Sequence, residues 1–126
     1  ILSCLSEIYK TELDPRIGFL HEPNYRALSL HLDLAEIFKP ILGDTLIFNM
    51  LNKKEITTKD FQTDAGRIKF SNDAVQKIEL KMISRLCETL TVGSRELTWR
   101  QVIRREANKL KKCICEDAPY EGFKWE

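Results

Sequence analysis

The sequence predicts an all-α domain of about five helices with at most a short β-hairpin arm. Apolar residues recur at three- and four-residue spacing in well-separated segments along the 126-residue chain. Ser71, Asn72 and Thr98 stand directly before two of those stripes, where side-chain oxygens cap helix N-termini. Only one short run, residues 67–70, alternates as an unambiguous strand does. With 43% apolar residues and only 5 Gly and 4 Pro, disordered, collagen-like and linker-like chains are excluded.

The elements follow in order. Ile1, Leu2, Leu5, Ile8 and Tyr9 make a helical stripe without a starting cap, read as the last turns of a longer helix. It ends before Asp14-Pro15, since a residue preceding proline is pushed out of the helical region. From Pro15 to Pro23 a loop is expected, with Gly18 relaxing the backbone. Residues 28–38 are ambiguous: Leu28, Leu30, Leu32 and Leu34 alternate, yet Leu30, Leu34, Ile37 and Phe38 fit helix spacing. No β-branched residue precedes Ile37, which favours helix.

Residues 41–51 form a further helix with Pro40 in its first turn, where a missing N–H is harmless. A polar stretch follows, in which Thr58 caps a short turn around Phe61 and residues 67–70 supply the hairpin arm. The next stripe, Val75, Ile78, Met82, Ile83, Leu86 and Leu90, is expected to end at Gly93. Thr98 caps a last helix that buries Trp99, Val102, Ile103, Ala107, Leu110 and Ile114. Tyr120, Phe123 and Trp125 in the tail predict that it docks on the body.

The net charge of +1 hides an asymmetry, because residues 95–112 hold seven basic and two acidic side chains. Such a stretch is either a phosphate-contacting surface or a solvated helix face. Arg100, Arg104 and Lys111 are expected near one face, and Arg105, Lys109 and Lys112 near another. Cys4, Cys87, Cys113 and Cys115 match no disulfide scaffold. Cys113 and Cys115 lie too far around a helix to share an ion, so a reducing, cytoplasmic compartment is expected. No apolar run reaches the ~18 residues of a membrane span, so no membrane partner is expected. Opening on Ile1 inside a periodic segment, the sequence is expected to be a piece of something longer.

One region concentrates possible ligands: His21, Glu22, His31, Asp33 and Glu36. On a helix Asp33 and Glu36 stand side by side at i, i+3 and repel each other unless a cation lies between them. Carboxylate oxygens with one imidazole suit Mg²⁺ or Mn²⁺ acting on phosphates. Spacing alone leaves two readings open, a metal site and surface acids beside a capping or core histidine.

Residues 13–44 resemble the signature of the CRISPR-associated adaptation endonuclease family, the integrases that insert new spacers into CRISPR arrays. The matching elements are Leu13-Asp14-Pro15, Gly18 to Pro23, Ser29-Leu30, Asp33-Leu34-Ala35-Glu36, Phe38-Lys39-Pro40 and Asp44. The basic last helix and the Tyr120-x-x-Phe123-Lys124 tail also resemble the family's helical C-terminal domain.

The resemblance implies a single C-terminal helical catalytic domain over residues 1–126. Its N-terminal β domain and the earlier helix with a further glutamate ligand would lie outside this sequence. It implies a catalytic set of His21, Glu36 and Asp33, with His21 and Glu36 as ligands of Mg²⁺ or Mn²⁺ and Asp33 in support. Lys39 stands where many members carry Arg, and Arg26 stands one position before Ala27, where members often place Arg. Tyr25, Arg26, Lys39, Arg100 and Arg104 are the candidate DNA contacts.

The implied reaction is phosphoryl transfer on DNA, protospacer and CRISPR repeat. A homodimer and the small second adaptation subunit would be partners, and this chain alone would show weak or absent catalysis. The alternative is a non-catalytic helical interaction or scaffold module, which predicts no metal binding at His21.

Overall fold

The computed structural model describes residues 1–21 and 28–125. Among these residues, five α-helices and four short strands follow one another: α1 (Leu2–Ile8), α2 (Leu30–Phe38), α3 (Thr45–Asn52), β1 (Phe61–Asp64), β2 (Arg67–Phe70), α4 (Asn72–Cys87), β3 (Thr89–Val92), β4 (Arg95–Thr98) and α5 (Trp99–Glu116). A π-helical segment, Lys39–Asp44, joins α2 to α3, and a 3₁₀ turn, Thr58–Asp60, precedes β1.

The chain is not all-α, which corrects the sequence expectation. It holds two antiparallel hairpins, β1–β2 and β3–β4. The first contains the expected arm, residues 67–70, and pairs Phe61 with Phe70 and Asp64 with Arg67. Its Ala65-Gly66 turn has positive φ at both residues (49° and 76°), the twist that a two-residue hairpin loop requires.

The second hairpin overturns the expectation that the helix over residues 75–90 runs to Gly93. Helix α4 stops at Cys87, and Leu90 pairs with Leu97 across a turn in which Gly93 has φ 63°. Thr89, Thr91 and Val92 are β-branched and stiff at χ1, so this run prefers a pleated surface. Leu90, Val92 and Leu97 then pack against the main core.

Two further details differ from the sequence expectation. Thr57, not Thr58, caps the 3₁₀ turn, in a reciprocal box with Asp60. Helix α2 runs on into α3 through the π-helical segment, where Thr45 N–H bonds to Pro40 O, five residues back. Pro40 has no N–H to give its own turn, so the ladder widens there.

The main core joins α1, α2, α4 and α5 through Cys4, Ile8, Leu30, Leu34, Phe38, Leu86, Trp99 and Ile103. A smaller one gathers Leu46, Met50 and Ile56 beneath α4. Ser71 caps α4 through Ala74 N–H, and Thr98 with Gln101 boxes the start of α5.

The tail docks, as its aromatics predict. Phe123 stacks on Phe38 and meets Trp99 edge-on, while Trp125 stacks on Trp99 at 5.1 Å. The anchor is Glu106, a carboxylate only 1% exposed. It accepts hydrogen bonds from Tyr120 Oη (2.7 Å) and Phe123 N–H (3.0 Å) and pairs with Lys109. Tyr120→Phe removes one charge-assisted bond and is expected to cost about 1.5 kcal/mol in urea unfolding. An unchanged midpoint would mean that the bond from Tyr120 Oη to Glu106 contributes nothing to stability.

Candidate metal centre

The loop after α1 is stitched to the start of α2 before any side chain of interest is placed. Pro15 O accepts from Ser29 N–H and Leu30 N–H, and Ser29 Oγ donates to Arg16 O at 2.8 Å. Asp14 grips Arg16 through both main chain and side chain, and that arginine holds the Asp14 carboxyl down to about 2. Gly18 then passes directly against α2. A Cβ at this position would lie 2.6 Å from Asp33 Oδ2 and 2.7 Å from Ser29 Oγ.

That close approach turns three consecutive backbone N–H groups onto one carboxylate. Asp33 Oδ2 accepts from Phe19 (2.7 Å) and Leu20 (3.2 Å), and Oδ1 accepts from His21 N–H (3.0 Å). The His21 ring joins them, with Nδ1 2.6 Å from Asp33 Oδ1. Asp33 is 1% exposed. Burial pushes its carboxyl up, but the His21 bond and the three backbone donors outweigh it and hold it below the ordinary carboxylate value. The first turn of α2 adds a favourable dipole for this charge.

Both Asp33 oxygens are therefore occupied by donors, which makes Asp33 a holder of His21 rather than an open ligand. His21 keeps 41% of its side chain exposed, and its Nε2 makes no hydrogen bond among the described residues. Glu36 follows one turn along α2, 47% exposed, with only a loose 3.6 Å pairing to Lys39. The structure thus brings His21 against Asp33, and Asp33 beside Glu36 on one helix.

By donor chemistry alone, an imidazole backed by a carboxylate and an exposed carboxylate are groups that a hard divalent ion takes. Among the described residues no three His, Cys, Asp or Glu side chains converge on one point. His31 stands apart: its Nδ1 is buried without a partner among the described residues, and burial pushes its imidazole toward the neutral form.

The remaining candidates separate. Tyr25 and Arg26 lie outside the described residues. Arg100 is exposed on α5. Arg104 donates Nε to Glu7 Oε2 at 2.7 Å, tying α5 to α1, and Lys10 reaches the same carboxylate at 2.8 Å. Burial raises the Glu7 carboxyl, but Arg104 and Lys10 together hold it below its ordinary value. Sequence reasoning missed this pair, because the partners are separated by 97 positions. It also placed Arg104 and Arg105 on different faces, whereas both line one cleft with Arg95. The four cysteines are free thiols, Cys4 buried and Cys87 and Cys115 exposed. Among the described residues no helix is long and apolar enough to cross a membrane.

Residues 2–82 match the family model described as CRISPR associated protein Cas1. A CRISPR-associated endonuclease Cas1 from Clostridium perfringens is 43% identical over 122 residues, covering 95% of this chain and 37% of the relative. One from Haloferax volcanii is 37% identical over 126 residues, covering 98% of this chain and 38% of its own length. Among solved structures, a CAS1 protein from Thermotoga maritima superposes with a TM-score of 0.82 at 36% identity, over 94% of this chain and 37% of that one. A casposase bound to integration product superposes at 0.80 with 26% identity, over 92% of this chain and 34% of that one. The chain thus spans just over a third of the length of the relatives it matches.

Proposed function

This chain belongs to the CRISPR associated protein Cas1 family, and on that premise we propose that it is part of a metal-dependent DNA endonuclease and integrase that inserts spacers into CRISPR arrays. One observation carries the reading: a loop histidine clamped at Nδ1 by a buried aspartate, one helical turn before an exposed glutamate. His21 and Glu36 would hold Mg²⁺ or Mn²⁺. When bound, such an ion neutralises charge on a phosphoryl oxygen and makes an attacking hydroxyl more acidic.

The chain's own residues prepare that chemistry. Asp33 accepts the proton-bearing side of the His21 ring, which fixes the tautomer and leaves the Nε2 lone pair as the donor. The three backbone bonds to Asp33 fix the loop, so His21 is positioned before anything binds. Lys39 adds a point charge near Glu36 for a phosphate, without the bidentate fork of arginine. DNA of protospacer and repeat is the proposed substrate. A second copy and the small second adaptation subunit are the proposed partners, and the cytoplasm is the proposed compartment. With two donors here among the described residues, catalysis by this chain alone is expected to be weak.

The test is Mn²⁺ binding, followed by the loss of the free-ion paramagnetic resonance signal. His21→Ala and Glu36→Gln are each expected to weaken binding at least about tenfold. Equal Mn²⁺ affinity in the parent and both variants would remove the basis for the proposal.

A further inference from the structure

A second polar site lies on α5, built from residues that the metal centre does not use. Gln101, Arg104, Arg105 and Asn108 follow one another at i, i+3, i+4 and i+7, which places them along a single stripe of α5. Arg95 and Leu97, alternate residues of β4, face that stripe across a cleft of about 370 Å³. No carboxylate lines it among the described residues.

The donors are set in place by their neighbours. Buried Glu7 holds Arg104 by Nε, so the guanidinium is fixed while its two terminal nitrogens make no hydrogen bond among the described residues. Glu7 also binds Lys10, so one carboxylate faces two cations and the pairing leaves an excess positive charge. Gln101 spends its side-chain oxygen on Thr98 N–H, which leaves its amino group as the end able to donate. Arg95 and Arg105 have no carboxylate partner among the described residues. Planar, donor-only groups without an acceptor match a phosphate oxyanion.

We propose that this cleft between the β3–β4 hairpin and α5 seats a backbone phosphodiester of DNA, positioned by Arg104 and held by Arg95 and Arg105. The inference rests on the reading of this chain as one that acts on DNA, but it needs no metal.

The experiment measures duplex DNA binding by fluorescence anisotropy in EDTA, across a salt series. Arg95→Gln with Arg105→Gln is expected to lower affinity about tenfold and to reduce the log–log salt slope by about one. The control pair Lys53→Gln with Lys59→Gln removes the same charge from exposed positions elsewhere. An equal loss in that pair, or an unchanged slope in the cleft pair, would overturn the proposal. Calorimetry with inorganic phosphate separates the two sources of a phosphate group. A backbone site gives no saturable heat with the free anion, whereas saturable binding lost in the cleft pair would mean a small-anion site and defeat the DNA assignment. EDTA removes divalent ions throughout, so this readout is separate from the Mn²⁺ measurement. Mn²⁺ binding without cleft-dependent DNA affinity therefore sinks this inference alone, and the converse result sinks only the metal reading.

Discussion

Asp33→Ala is expected to destabilise the protein by about 3–5 kcal/mol, with most of the loss arising in the loop rather than in α2. The carboxylate is buried and accepts from Phe19, Leu20 and His21 N–H and from the His21 ring. Truncation strands four donors at once, at roughly 1–3 kcal/mol for each that water cannot reach. Part of that is recovered as the loop lifts into solvent, which keeps the total below the simple sum. Asp33→Asn keeps the shape but turns an amino group toward donors, so a loss of about 2–3 kcal/mol is expected. Urea unfolding measures both.

The pH dependence of the same contact has a definite sign. The Asp33 carboxyl is held below its unfolded value of about 3.9, so the unfolded chain binds the proton first as pH falls. The stabilisation is complete above about pH 4 to 5 and disappears as pH drops through the lower folded value. Asp33→Asn should therefore flatten the acid limb of the stability curve while leaving its neutral part parallel to the parent. If Asp33→Ala unfolds within about 1 kcal/mol of the parent with the same acid limb, the carboxylate does not hold this loop.

Much of the fold is legible in the letters because burial is periodic. Helix α2 shows how an ambiguous run resolves: Leu30, Leu34 and Phe38 are fully buried at i, i+4 and i+8, while Leu28 and Leu32 are only half-buried. The alternation is thus a by-product of Leu32 at the edge of the helical stripe and Leu28 before the helix begins. The β3–β4 hairpin was also written in the sequence, as the β-branched run Thr89–Val92 before a Gly93-Ser94 turn. A single glycine after an apolar stripe serves equally as helix stop and hairpin turn, and only the neighbouring threonines decide.

The site divides along a different line. His21, Asp33 and Glu36 are visible because imidazoles and carboxylates are side chains. The grip on Asp33 is not visible, because its main partners are backbone N–H groups that every residue but proline possesses. Glu106 illustrates the same limit. In the sequence it is one of two acids in a basic stretch, yet in the fold it is the buried anchor of the tail. Arg104 stands in that stretch as a free cation and in the fold as the partner of Glu7.

Gly18→Ala is expected to cost about 2–3 kcal/mol and to weaken Mn²⁺ binding together with stability. The reason is contact rather than backbone preference, since Gly18 is not among the residues of positive φ, unlike Gly66 and Gly93. A methyl group at Gly18 would press on Asp33 Oδ2 and on both Oγ and Cβ of Ser29, the last at 3.0 Å. Neither neighbour is free to move away, because Ser29 is bonded to Arg16 O and Asp33 holds four donors. Gly66→Ala offers the contrast: its added Cβ meets nothing within 4 Å, and only the left-handed backbone resists, at about 1 kcal/mol. A double-mutant cycle isolates the contact. In an Asp33→Ala background the clash with Oδ2 is gone, so Gly18→Ala should lose at least about 1 kcal/mol of its cost. Strict additivity would show that the cost of the methyl group does not come from Asp33, and would leave Ser29 as the obstacle.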